Sequence, residues 1–429
     1  MNELVTIIPL LKNPNAKNHT FRLSFRSLQK FINLTWQIPA YKNHESKKNM
    51  PLYIQELSDL NPDSRFPKNL FPGSNPFFRH VRFLQYFLAL QNEQTVGRIA
   101  VYIDTTYHEP DTKGEIGWIG LFECIESKEV AHKLIQTAIN LLKCQGVEKI
   151  IGPARFNANG EVGVTIDGFH HHPMFMEPYH PPYYQEYFEA IGKKENDWYA
   201  FHIEHKEVES YANRANSIRR NGLTLEEKMK ENGIIIRSVK LKKLVSESEK
   251  IKFIYNTAWD TKEHPQFEKM TDAEFKSLVS ALVLLAVESL ILIVEDRTKK
   301  DNPVVGMSVL LPDINEAIEI YDAKHPGFRP GIGCYPILRS LKRDLGIVRL
   351  VKKMIRNQSF HGARVVILGT IIKKTGLDAL LYLKCYENAK RYGIQFGSGS
   401  QIADTNLEMV NPLQRMGHIS LTWRIYKFE

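Results

Sequence analysis

The chain has 429 residues, 43% hydrophobic and 24% charged, proportions that support a folded core and exclude a disordered or low-complexity polymer. Its four cysteines lie far apart with no Cys-x-x-Cys pair, so neither a zinc centre nor a disulfide framework is expected, and a reducing cytoplasm is the default setting. The start lacks the basic segment and cleavage site of a secretory leader, and the most apolar run, Leu278 to Val294, is broken by Ser280, Glu288 and Ser289, against a membrane span.

In chain order, residues 4–10 suit an opening strand, and apolar positions from Phe21 to Trp36 predict a helix facing a core. Residues 39–76, interrupted by Pro51, Pro62, Pro67 and Pro72, read as a long loop with one short helix. A hairpin follows at 83–91 and 95–104, turning at Gln91-Asn-Glu-Gln94. A strand at 114–125, a helix at 128–144 and a strand from Ile150 come next. A helix at 183–191 stopped by Gly192 and a strand at 198–203 complete the first half.

A charged, helical bridge spans 205–232, with a break at Arg219-Arg-Asn-Gly222. The pattern then restarts with a strand at 233–241, helices at 247–260 and 271–287, and strands at 290–295 and 304–311. After an insert at 312–363 come a strand at 365–369, a helix from Leu377, a strand at 393–402, a helix at 406–416 and a strand at 419–428. The shared order predicts an α/β chain (α+β, mixed sheet) duplicated in tandem, with domains 1–205 and 206–429.

The turn Lys373-Lys374-Thr375-Gly376 joins a buried strand to a helix start. There, unpaired N–H groups and the helix dipole favour an anion, and glycine permits close approach. With Asn406 eleven residues before Gly417, this stretch resembles the pyrophosphate loop and following motif of the GNAT acyltransferase superfamily. In that resemblance Lys373 takes the place of an Arg or Gln and Gly376 that of the first glycine. Asp378 replaces the second glycine, and Leu413 stands where a tyrosine often protonates the leaving thiolate. Asn406 also reads as a helix cap after Asp404-Thr405.

The whole chain is similar to bacterial tandem GNAT-like proteins described as N-acetyltransferases of unsettled substrate. The motifs that carry this include Asn75-Pro-Phe-Phe-Arg-His80, Gly120-Leu-Phe-Glu-Cys124, Gly152-Pro-Ala-Arg-Phe-Asn-Ala-Asn159, Pro178-Tyr-His-Pro-Pro-Tyr-Tyr184 and Leu368-Gly-Thr370. The resemblance implies acetyl-CoA or a longer acyl-CoA as substrate, held by Leu368, Gly369, Thr370, Lys373, Lys374, Thr375, Gly376 and Asn406. It implies a small-molecule or lipid-like amine as acceptor, in a cleft lined by Asn157, Asn159, Tyr179, His180, Tyr183 and Tyr184. Attack by the deprotonated amine on the thioester would use Glu161 or Asp167 as base, and Tyr382, Tyr426 or water as acid in place of the tyrosine missing at Leu413. A non-catalytic CoA-binding protein of the same fold is the alternative.

Several features weigh against other chemistry. The first half's counterpart loop, Glu126-Ser-Lys-Glu129, has no glycine and two carboxylates, a poor bed for pyrophosphate. His170-His171-His172 would diverge rather than converge on a metal, so none is expected. Residues 331–356 set Leu338, Leu341, Leu345, Val348, Val351 and Ile355 at helical spacing among seven cations. That pattern suits a core-packed helix with a solvated basic face, a source of positive potential for CoA phosphates, or peripheral contact with an anionic membrane. Charge alone suggests nucleic acid, without a supporting motif.

Overall fold

A short strand, β1 (Thr6–Pro9), opens the chain in a computed structural model. It describes residues 4–15, 21–43, 51–63, 75–109, 112–217, 221–259, 264–326, 328, 335–373 and 375–429. Helix α1 (Phe25–Asn33) is capped by the Ser24 hydroxyl, which accepts from the Ser27 N–H, and buries Leu28, Phe31 and Ile32. The proline-rich stretch holds two short helices where one is expected, α2 (Ala40–Asn43) and α3 (Tyr53–Asp59).

Strands β2 (Val81–Gln91) and β3 (Gln94–Asp104) form the expected hairpin. Asn92 and Glu93 turn it with φ of 49° and 64°, the two left-handed residues that match the strand twist. β4 (Ile116–Cys124) runs antiparallel to β3. Helix α4 (Lys128–Cys144) carries the chain over to β5 (Lys149–Gly152), which lies parallel to β4. β6 (Val164–Asp167), α5 (Tyr183–Glu189) and β7 (Lys193–Glu204) end this half.

The second half begins with α6 (His205–Ala215) and α7 (Leu225–Glu231), the latter started by a Thr224–Glu227 capping box. β8 (Ile234–Ser238), α8 (Leu244–Ala258), α9 (Asp272–Leu282), β9 (Ile291–Asp296) and β10 (Val304–Pro312) follow. α9 stops five residues short of the expected 287. α10 (Asn315–Ala323) and α11 (Pro336–Asn357) fill the insert. β11 (Gly362–Thr370), α12 (Leu377–Tyr392), β12 (Phe396–Ala403), α13 (Leu407–Leu413) and β13 (Gly417–Phe428) close the chain.

Two compact units result: residues 1–198, 320–347 and 421–429 in one, 199–319 and 348–420 in the other. In the first, β1 to β4 form an antiparallel run, β5 joins parallel to β4, and the last residues of β13 pair with β5 and β6. In the second, β8 to β11 are antiparallel and β12 joins parallel to β11. Each parallel pair is bridged by one helix, α4 or α12, so the same plan is built twice. The first core gathers Val101, Ile119, Leu134, Ile135, Phe188 and Tyr426. The second gathers Leu292, Val294, Leu368, Leu381, Ile402 and Leu413. No helix among the described residues is long and apolar enough to cross a membrane.

Helix α11 corrects the sequence reading. Its leucines were expected on the core, yet Leu338 is 64% and Leu345 45% exposed, while Ser340 and Arg343 are 0% and 1% exposed. The inward face combines apolar Ile347, Val351 and Met354 with buried polar side chains that find partners. Arg343 makes a bidentate pair with Asp322, at 2.9 and 2.7 Å, and Asp344 accepts from the Ile54 N–H in the first turn of α3 at 2.8 Å. Gly346 does not break the helix; a Cβ there would lie 2.3 Å from the Tyr321 ring, so the glycine admits that ring.

Candidate active site

In the second unit the parallel ladder of β11 and β12 runs from Gly362↔Phe396 to Val365↔Gly399 and stops, although the strands continue to Thr370 and Ala403. The two strands therefore part at their carboxyl ends, where open α/β sheets receive ligands. Buried Arg364 stands at the parting, its Nε 2.8 Å from Ser400 Oγ and its Nη2 3.1 Å from the Ser400 carbonyl oxygen. On the other side of β11, the pairing with β10 shifts register between Val309 and Leu310, opposite Val365 to Ile367. Such a bulge turns a strand locally and redirects its side chains.

The turn after β11 delivers the start of α12. Gly376 has φ 80°, and a Cβ there would lie 3.0 Å from Leu225 Cδ2, so conformation and space both favour glycine. Among the described residues no side chain caps this helix start, which leaves its first-turn N–H groups facing the turn. Asp378 occupies the exposed side of that turn, where the dipole welcomes its charge and where it opposes a second anion. Lys373 Nζ lies 2.7 Å from Glu408, tying the turn to α13. Asn406, buried at the start of α13, uses its carbonyl oxygen to accept from the Met409 N–H at 3.3 Å. Among the described residues its amide NH2 has no partner.

The expected acyl-CoA residues thus group by element. Leu368 is buried in the core, Gly369 and Thr370 end β11, Thr375 is exposed and Gly376 starts α12. Lys374 lies outside the described residues. Beside them is a group not recognised in the sequence. Tyr255 stacks on Trp259 at 5.3 Å, and Phe267 and His264 pack on this pair. A Cβ on Gly369 would lie 2.5 Å from the Trp259 ring, so the indole rests on the β11 backbone. The Tyr255-x-x-x-Trp259 spacing at the end of α8 was the available signal.

Tyr382, on α12, is buried in this unit with its hydroxyl 3.5 Å from Met409 Sδ on α13. Burial, reinforced by Asp378 and Tyr211, pushes its pKa far above the ordinary value, so the phenol keeps its proton and acts as a donor.

The other candidates lie in the first unit. Its β4–β5 ladder ends at Trp118↔Ile151, and the chain itself occupies the edge beyond. The Ala154 N–H donates to the Ile119 carbonyl at 3.0 Å, and a Cβ on Gly120 would lie 1.9 Å from the Ala154 oxygen. Tyr184 Oη accepts the Cys124 N–H at 2.6 Å, and Tyr183 Oη donates to the Cys124 carbonyl at 3.1 Å. Tyr184 also donates to buried Glu123 at 3.0 Å, a carboxylate that Tyr41 reaches at 2.5 Å. Burial raises the Tyr184 pKa well above its usual range, with Tyr41 and Glu123 adding to the effect.

Tyr179 is buried against Leu34, Ile38 and Tyr41. His180 is held by Thr165, whose N–H lies 3.3 Å from Nδ1 and whose hydroxyl accepts the His180 N–H at 3.1 Å. Asn157 is buried and accepts the Asn159 N–H at 3.1 Å. The Glu161 carbonyl accepts the Arg155 N–H at 2.7 Å. Glu56, Glu161 and Asp59 together hold the desolvated Arg155 guanidinium charged. Tyr426 is buried against Phe188, and its hydroxyl has no partner among the described residues. The counterpart loop is spent on local structure: Ser127 caps α4, while Lys128 and Glu129 pair with Glu186 and Lys133.

No protein-family model matches the chain. Over 384 residues it is 28% identical to Protein YghO of Escherichia coli, covering 84% of this chain and 90% of that protein. Over 251 residues it is 29% identical to the bacterial ceramide synthase of Caulobacter vibrioides, covering 58% of this chain and 61% of that protein. That second match thus spans less than two thirds of the synthase. Among solved structures, it resembles a GCN5-related glucosamine N-acetyltransferase region of a fungal multi-domain GH3 β-N-acetylglucosaminidase. The TM-score is 0.50 at 11% identity, over 100% of this chain and 38% of that one. Likeness at this identity speaks for fold alone, and it agrees with a plan that the chain itself repeats: the protein has a GNAT-like fold, laid down twice in tandem.

Proposed function

We propose that the protein is an acyl-CoA-dependent N-acyltransferase built from two GNAT-like domains, 1–205 and 206–429, the second of which receives the acyl-CoA. The observation that carries this is the open parting of β11 and β12 beside an uncapped helix start. Pantetheine would lie along β11 from Leu368 to Thr370, and pyrophosphate at Lys373 to Gly376 with Asn406 nearby. The first domain's corresponding edge, occupied by Ala154, Tyr183 and Tyr184, leaves it a supporting role.

The neutral amine nitrogen would attack the thioester carbonyl, the carbon–sulfur bond would break, the CoA thiolate would take a proton, and the proton lost by the new amide nitrogen would restore the donor. Tyr382, whose hydroxyl reaches α13, would supply that proton once bound acyl-CoA relieves part of the burial that now raises its pKa and makes it a reluctant acid. The acceptor is a long-chain amine. The likeness to a protein named as a ceramide synthase supports this, as does the apolar Tyr255–Trp259 pair against Gly369.

A thermal-shift series with CoA, acetyl-CoA and a non-hydrolysable palmitoyl-CoA analogue tests binding, followed by product detection with a long-chain amine. A ligand at about 100 times its Kd stabilises by about 2.7 kcal/mol, which moves the melting temperature by several degrees. The long-chain analogue should shift most. No shift with any of the three in a folded sample would overturn the reading. A shift without turnover would favour a CoA-binding protein, a reading that buried Leu413 in place of a tyrosine also supports.

A further inference from the structure

Helix α11 has the wrong side out for a helix that only packs on its own core. At 100° per residue, Leu338, Lys342, Leu345, Arg349, Lys352 and Arg356, spaced alternately four and three apart, form one line, and all six are exposed. Leu341 flanks the line, and Tyr335, 77% exposed, stands just before the helix. The stripe therefore carries its leucines, with Lys342 between them, over its first three turns and only cations over the rest, along about 33 Å of helix.

The inward face cannot simply roll round to cover the leucines. Arg343 and Asp344 are anchored to Asp322 and to the Ile54 N–H, and turning them outward would break a buried, charge-assisted set. Asp344 is the helix's sole acid and is buried, so the exposed face carries no carboxylate. Among the described residues, Lys342, Arg349, Lys352, Lys353 and Arg356 have no acidic partner.

We infer that this face docks on an anionic lipid bilayer, with the leucines entering between headgroups and the cations lying at the phosphate level. The two halves of the stripe require one partner that is both anionic and apolar beneath its surface. A nucleic acid offers nothing to the leucines, and a second copy would oppose its own cations. The inference deepens the acyltransferase reading, and its consequence for the acceptor rests on it: a long-chain amine would be met where it resides, at the membrane.

The test is flotation of the full chain with vesicles of phosphatidylcholine alone, or of phosphatidylcholine with an equal part of phosphatidylglycerol, without acyl-CoA. The protein should float with the mixed vesicles and not with the neutral ones. Leu338→Glu/Leu345→Glu should abolish flotation. Lys352→Ala/Arg356→Ala should weaken partitioning about thirty-fold, from ~1 kcal/mol per cation at an anionic surface, and reduce its salt dependence. Both variants change exposed side chains and should keep the wild-type melting temperature.

Failure of the wild type to float, or equal flotation of all three proteins, overturns the inference. So does a dimer in size exclusion that the leucine variant splits, together with no flotation, since the face would then join copies of the chain. Turnover of a detergent-dispersed amine, measured in parallel, separates the two ideas. Turnover without flotation removes the membrane face alone, and flotation without turnover leaves that face standing while the acyltransferase reading falls.

Discussion

Replacing Asp344 by asparagine should stabilise the protein at alkaline pH, although Asp344 neighbours an arginine. The carboxylate accepts from the Ile54 N–H at 2.8 Å through Oδ2, while Oδ1 lies 3.6 Å from Arg343 Nη1 and has no hydrogen-bond partner among the described residues. Burial is the largest influence and pushes the carboxyl up from the ordinary 3.8 to about 6, against the lowering pull of the Ile54 N–H and Arg343. The folded pKa thus exceeds the unfolded one, so this group's contribution to stability is full below about pH 4. It is lost as pH rises through about 6. A shift of roughly 2 units corresponds to about 3 kcal/mol.

Asp344→Asn keeps a carbonyl for the Ile54 N–H and removes the ionisation. The variant should gain about 2–3 kcal/mol over wild type near pH 8, or about 5–10 °C in Tm, and the gain should shrink as pH falls through 6 and vanish below about pH 4. Urea unfolding followed by tryptophan fluorescence reads this well, since Trp36, Trp118, Trp198 and Trp423 belong to the unit containing Asp344 and only Trp259 to the other. A variant less stable than wild type near pH 8, or a difference that ignores pH, would refute the reasoning. Attraction to Arg343 would then outweigh burial.

Four further outcomes bear on the candidate site. Gly376→Glu should remove the CoA-induced thermal shift, while Gly376→Asn, which tolerates the left-handed φ of 80°, should fold and retain it; equal shifts would show that the turn is not the site. Tyr382→Phe should lower kcat by about 10²-fold or more with KM little changed, as steady-state kinetics would show. Gly369→Ala should displace the Trp259 ring, cost about 1–3 kcal/mol and alter the emission of the second unit's single tryptophan, with KM for the amine raised. Asp378→Asn should tighten acyl-CoA two- to five-fold in a binding titration, because a like charge worth about 0.5–1 kcal/mol leaves the helix start.

The parts legible in the sequence were those whose signals are local. The β2–β3 hairpin follows from alternation interrupted by a two-residue turn, and α4 from an apolar stripe begun by a serine cap. The β11–turn–α12 segment is announced by β-branched residues, a glycine and a new helical period within a dozen residues. β6 escaped because four residues, although three are β-branched, are too short a run to separate a strand from a loop; it exists by pairing with β13, some 250 residues onward. The Trp259 group escaped because its relation to Gly369 crosses a hundred residues of chain.

By itself, then, the sequence determined the elements, their duplicated order and the composition of α11's faces, since periodicity and capping act within a few residues. Only the tertiary structure decided which face of α11 turns inward. Arg343 and Asp344 find partners at Asp322 and Ile54 that no local pattern reveals, and Ile347, Val351 and Met354 are buried on the same face in place of the three leucines. It likewise decided that the β11–β12 edge is open while the β4–β5 edge is closed by Ala154, Tyr183 and Tyr184. Two copies of one strand plan differ there only through side chains and backbone groups brought in from distant residues.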